Sequence, residues 1–160
     1  MNEALKDWPD STRVWIYLSD RPVPADSQDL LREQLANFAH NWVSHNRQLR
    51  AYADLLHERF VVLMVDESQA GASGCSIDKS VAFLKYLEET YRLRLFDRML
   101  FAYRQGDEIR VASRDEFARL YADGQIDDNT LVFDNLVNNK ADFDRAWLKP
   151  LKDSWHARMV

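Results

Sequence analysis

Residues 68–80 read SQAGASGCSIDKS and follow the apolar run FVVLMVDE. They hold the chain's single cysteine, Cys75, and two of its four glycines, Gly71 and Gly74. Where a strand hands over to a helix, unpaired amides and the positive end of the helix dipole favour a bound anion or a thiolate. Two chemistries suit these residues. In the first, Ser73, Gly74, Ser76 and Lys79 donate to a small ligand or anion held by the Gly71–Lys79 loop. In the second, Cys75 acts as a nucleophilic or redox thiol, with Lys79 adding positive charge and Asp78 opposing it. A thiol catalyst also needs a base, and of His40, His45, His57 and His156 the last is favoured, because Trp155 in DSWH can pin it against the body of the protein. Against both stands a plain alternative, in which Cys75 is a small buried residue closing a turn.

The stretch does not satisfy the phosphate-binding pattern G-x-x-x-x-G-K-[ST]. Asp78, not glycine, precedes Lys79-Ser80, and its carboxylate falls where a phosphate would sit. Asp66 and Glu67 read as solvated residues at a strand end. No metal is expected: Cys75 lacks a second cysteine, and His40 and His45 would lie about 140° apart on a helix. No cofactor is expected either. Arg92, Arg94, Arg98 and Arg104 alternate with aromatic residues in the manner of a single-strand-binding surface, and Arg98 and Arg104 share strand parity. The net charge of -5 argues the other way, since it supplies no general attraction to phosphate backbones or anionic lipid.

Several elements must position these groups. RVWIYLSD (13–20) reads as a strand stopped by RPVP. A helix comes next, capped by Asp26 or Ser27, with Leu31, Leu35, Phe38 and Trp42 on one face. LRAYADLLHE and RFVVLMVDE read as two strands, and Ile77, Val81, Leu84, Leu87 and Tyr91 mark one side of a second helix. MLFAYR and EIRVA form a hairpin turned at Gln105-Gly106-Asp107. Ser113 and Glu116 form a capping box for a helix that Gly124 ends. TLVFDNLV is a last strand, and a short helix precedes Pro150.

The fold class expected is α+β: a ferredoxin-like βαββαβ core over 10–104, with an appended hairpin-helix-strand lobe over 99–150 that shares the 99–104 strand. Residues 10–160 are expected to form one domain. The longest apolar run, Phe60–Val65, is too short to span a bilayer, and the start MNEALKDWPDSTR has no signal-peptide pattern. One cysteine forms no internal disulfide, so a cytoplasmic setting is expected.

DESQAGASGCSID, LFDRMLFAY, VFDNLV and KDSWH resemble segments of a family of short bacterial proteins that carry the label ABC transporter ATPase, and the resemblance covers nearly the whole chain. An ATP-binding cassette needs a P-loop and an LSGGQ-type signature, and neither occurs here. The resemblance therefore implies a bacterial protein and assigns no site residue. Residues 99–147 are in turn similar to small GYF-related modules, with Ser113, Phe117, Leu120, Gly124, Ile126, Thr130 and Val132 at matching places. Of the aromatic cluster of such modules, only Tyr103, Phe133 and Trp147 have counterparts. That similarity implies a partner-binding surface for extended proline-rich segments. Two functions are expected on these grounds: binding of an unidentified small ligand at 71–79, or a non-catalytic protein-interaction module using the aromatic second lobe.

Overall fold

The computed structural model describes residues 3–160. Its layering follows from one strand, β5 (Phe60–Asp66), every residue of which is buried. A strand apolar on both faces must be covered twice. β5 is the centre of a three-stranded antiparallel sheet, between β1 (Arg13–Leu18) and β4 (Arg50–Leu56). On one face Val61, Leu63 and Val65 meet α1 (Ala25–Asn41) and α2 (Gly74–Tyr91). On the other, Phe60, Val62 and Met64 meet a second sheet. That sheet runs β7 (Glu108–Ser113), β6 (Leu100–Gln105), β8 (Leu131–Phe133), β9 (Leu148–Pro150). Its far face buries Phe101, Tyr103 and Val132 with α3 (Arg114–Ala122) and the 3-10 turn Trp155–Met159. The result is an α+β stack of four layers: helices, sheet, sheet, helix.

The strand expected to close the first sheet lies elsewhere. β6 pairs with β7 and β8, leaving β1-β5-β4 as a three-stranded sheet. The cause is that β6 is itself apolar on both faces: Leu100 and Ala102 turn to β5, while Phe101 and Tyr103 turn to α3. An edge position beside β1 would leave one of those rows in water.

Local departures from the sequence reading have equally local causes. α1 begins after Pro24 with no side-chain cap, so Asp26 and Ser27 sit inside its first turn. The buried stripe of α2 is Ser76, Ser80, Leu84 and Leu87, not a stripe through Ile77 and Val81. The small serines let the helix approach Trp42, whose indole N–H donates to the Ser76 carbonyl at 2.8 Å. Both hydroxyls stay satisfied, on the Ser73 and Ile77 carbonyls. Ser113 accepts the Glu116 N–H, which is half of the expected capping box. A short hairpin of β2 (Val43–Ser44) and β3 (Arg47–Gln48) separates His40, on α1, from His45, in the turn.

Asp66, expected to be solvated, is only 3 % exposed. Arg50 donates to it at 2.7 Å and the Ser68 N–H at 3.0 Å. Burial alone would raise its carboxyl, and these bonds more than offset it, so the group is held below the usual carboxylate range. Among the described residues, no helix is long and apolar enough to cross a membrane.

Candidate functional site

The 68–80 loop is held together by its own polar groups. Ser73 is the N-cap of α2, and its side chain accepts the Ser76 N–H while Ser76 Oγ accepts the Ser73 N–H at 2.7 Å. Glu67 Oε2 accepts the Ala72 N–H at 2.8 Å, with Arg13 Nη1 3.9 Å away. A β-carbon on Gly71 would come within 3.0 Å of that carboxylate oxygen, which explains one glycine; Gly74 meets nothing and opens the helix. Glu67 thus holds the loop at Ala72, ahead of the helix, and Ser73 and Ser76 spend their hydroxyls on one another. Lys79 lies apart, in a groove between α1 and α2 beside Phe38, Trp42 and Phe83.

Cys75 is exposed, contrary to the plain buried alternative. The chain does not pair it with His156. Cys75 heads α2 in the first layer, whereas His156 packs against Phe101, Phe117 and Trp155 in the last. Because Cys75 contributes nothing to a core, Cys75→Ala is expected to leave the stability within about 0.5 kcal/mol of wild type by urea denaturation, and the thiol to label fully in the folded protein. A loss above about 1 kcal/mol would mean the side chain carries packing that its exposure does not reveal.

A different set of residues comes together around the edge of β1. In β1 the even-numbered residues turn their N–H and C=O groups away from β5. Val14 N–H donates outward to the Asn138 carbonyl at 3.0 Å, and beyond the strand Asp20 N–H donates to the Arg94 carbonyl at 3.1 Å. Between these two clamps, Ile16 and Leu18 have no neighbouring strand. Residues 94–100 start alongside β1 and then leave for the second sheet, and the gap is a cavity of about 270 Å³. Ile16, Leu18, Phe96, Leu100 and Phe133 line its apolar wall; Tyr17, Arg98, Asn135 and His156 bring polar groups to it. Met99 and Leu136, both at least half exposed, are also part of its lining.

The polar groups at this cavity are short of partners. Arg98 makes no ion pair or hydrogen bond among the described residues. It lies outside β6, so it does not share a strand face with Arg104 as its parity suggests. Asn135 Oδ1 accepts the Trp147 indole N–H at 2.9 Å, leaving the amide nitrogen unused. Burial pushes the Tyr17 phenol up and Arg98 draws it only partway back, so at neutral pH the hydroxyl carries its proton. His156 is 1 % exposed; its Nδ1 lies 2.7 Å from Ser154 Oγ. That imidazole nitrogen is the hydroxyl's sole acceptor among the described residues. Donation from Ser154 to Nδ1 leaves the proton on Nε2, which has no partner among those residues. Burial lowers His156 to about 4, Asp134 opposing and Lys149 assisting, so the ring is neutral at pH 7.

One buried carboxylate holds this arrangement. Asp134 accepts from Lys149 Nζ at 2.7 Å, Trp155 Nε1 at 2.9 Å and the Leu136 N–H at 3.0 Å. Burial would raise its carboxyl, but these bonds more than offset that and hold it below the usual range. It fixes both the 134–136 turn and the Trp155-His156 pair. The segments LFDRMLFAY, VFDNLV and KDSWH, widely spaced in the chain, therefore meet at one place. Tyr103, Phe133 and Trp147, the aromatic counterparts of a peptide groove, are each less than 10 % exposed and serve as core. No family model, no curated protein and no solved structure matches the chain.

Of the residues that the sequence singles out as site residues, only His156 reaches the cavity. Tyr17, Asn135 and the unpaired edge of β1 carry no sequence signal. Arg98 stands out in the sequence for another role, and its spacing from Phe96 and Met99 is the one signal that points here.

Proposed function

We propose that this protein binds the carboxylate-bearing end of a small amphipathic ligand in the cavity beside β1, without chemical conversion. The observation that carries the reading is the imbalance of polar groups there. Tyr17, Arg98, the Asn135 amide and His156 Nε2 offer donors with no acceptor spent on them. The one carboxylate at the wall, Asp97, already accepts the Met99 N–H at 2.9 Å. A group with several acceptor lone pairs and negative charge complements that set, and apolar walls suit a hydrocarbon body. The reading replaces the 71–79 loop as the ligand site because that loop's serine hydroxyls and Ala72 N–H are already bonded within the chain and Lys79 lies apart from them.

Sodium hexanoate and 4-phenylbutyrate, titrated against hexanamide and followed by NMR of the labelled protein, test the idea. The acids are expected to shift Arg98, Asn135 and His156 resonances, with the amide at least tenfold weaker. Arg98→Ala should weaken the acids by tenfold or more, the size expected from losing a charge-assisted bond of about 1.5–3 kcal/mol. Shifts confined to 71–79, or equal affinity for acid and amide, would refute it.

A further inference from the structure

We infer that the ligand of this cavity is a peptide C terminus, which adds its last two or three residues to the open edge of β1 and places its carboxylate among the Arg98, Asn135 and His156 donors. The inference rests on the ligand site proposed above and names what fills it. Its independent support is the backbone of β1. Ile16 and Leu18 turn their N–H and C=O groups to the free edge, and neither N–H has a hydrogen-bond partner among the described residues. Both residues line the cavity.

Outward-facing groups on a strand repeat about every 6.8 Å, two residues apart. A lone carboxylate can meet one of them. An extended peptide presents carbonyls and amides at that same interval, so it satisfies both, in the manner of strand addition to a sheet edge. The clamps at Val14–Asn138 and Asp20–Arg94 bound the open stretch, so a long strand does not fit and a chain end does. Arg98 and the exposed Met99 and Leu136 then set the chemistry of that end: a free carboxylate preceded by an apolar side chain. The cation makes no ion pair among the described residues, and Asp97 beside it accepts the Met99 N–H, which makes the terminal charge, rather than any internal peptide segment, the complementary group.

The test uses the full chain, 15N-labelled, and three pools of N-acetylated tetrapeptides ending in Leu, Phe or Val with mixed upstream residues, each with a free or an amidated C terminus. At least one free-carboxyl pool is expected to slow hydrogen exchange at the Ile16 and Leu18 amides tenfold or more. The matching amidated pool should bind at least tenfold more weakly, and Arg98→Ala, at an exposed position, should erase the difference between the two. A pool N-methylated at the penultimate amide leaves the protein untouched and should lose the exchange protection. If hexanoate binds but no pool protects Ile16 and Leu18, the peptide assignment is wrong and the acid site stands. Equal binding of free and amidated pools also overturns it. If neither hexanoate nor any pool binds, both readings fall.

Discussion

Replacing Asp134 with alanine is expected to remove about 3–5 kcal/mol of stability, the usual result of stranding one partner of a buried ion pair. The variant leaves Lys149 Nζ, on a side chain only 20 % exposed, without its carboxylate. It also strips the Trp155 indole and the Leu136 N–H of their acceptor. For a chain of this length that corresponds to a fall in Tm of roughly 10 °C, read by calorimetry. Asp134→Asn keeps an oxygen for Trp155 and Leu136 and loses only the charge, so it should fall between alanine and wild type. Asp134→Leu with Lys149→Leu removes both charges and should recover part of the loss, because the penalty lies in the unpaired ion rather than in the missing attraction. Any residual folded fraction of Asp134→Ala should also have lost the acid-binding response, since the carboxylate fixes both the 134–136 turn and Trp155. A loss below about 1 kcal/mol would show that the three bonds to Asp134 do not hold this corner.

How far the sequence reveals this molecule depends on whether a feature is local. Helices and strands are legible because their signals lie within a few residues: the aromatic and β-branched content of RVWIYL, the Gly106 and Gly124 turns, and the Ser113 cap. The run FVVLMV reads as a strand, and β5 is one; that both of its faces are covered emerges only in the fold. Features decided by competition between distant elements are not legible. β6 could close the first sheet, and only the need to cover both of its apolar faces sends it to the second. The edge of β1 is open because of that choice, so the cavity is a consequence of topology and leaves no motif. The glycine loop misleads for the opposite reason. Its spacing looks like an anion cradle, yet its serines bond one another and its Ala72 N–H bonds Glu67, which stands next to it in sequence and reads as solvated. Composition cannot distinguish a donor awaiting a ligand from one already bonded to its neighbour.

Acidification is expected to destabilise the protein well above the range in which carboxylates titrate, and His156 is the cause. Its ring is 1 % exposed and its folded value, about 4, lies below the ordinary 6.5. Above pH 6.5 neither the folded nor the unfolded state holds a proton there, and the stability is fully present. As pH falls, the unfolded chain takes up a proton that the folded ring refuses, so stability declines until the folded value is reached. The linkage slope approaches about 1.4 kcal/mol per pH unit, and the integrated loss is about 3 kcal/mol. Asp134 and Asp66, both held below the usual range, add their own losses only at lower pH. His57 is lowered as well, by burial and then by Arg104, but it is exposed and solvent screens most of its contribution. Urea midpoints for wild type and His156→Phe between pH 7.5 and 4.5 separate these sources. The phenyl ring preserves the stack on Trp155 and cannot titrate. Its absolute stability changes through the stranded Ser154 hydroxyl, but its slope over this window should nearly vanish. A bound carboxylate, by accepting from Nε2–H, favours the protonated ring, so hexanoate should flatten the wild-type slope and leave that of His156→Phe unaltered. A wild-type profile that is flat from pH 7.5 to 4.5 would mean that the imidazole is hydrated rather than buried, and the donor assigned to the cavity would go with it.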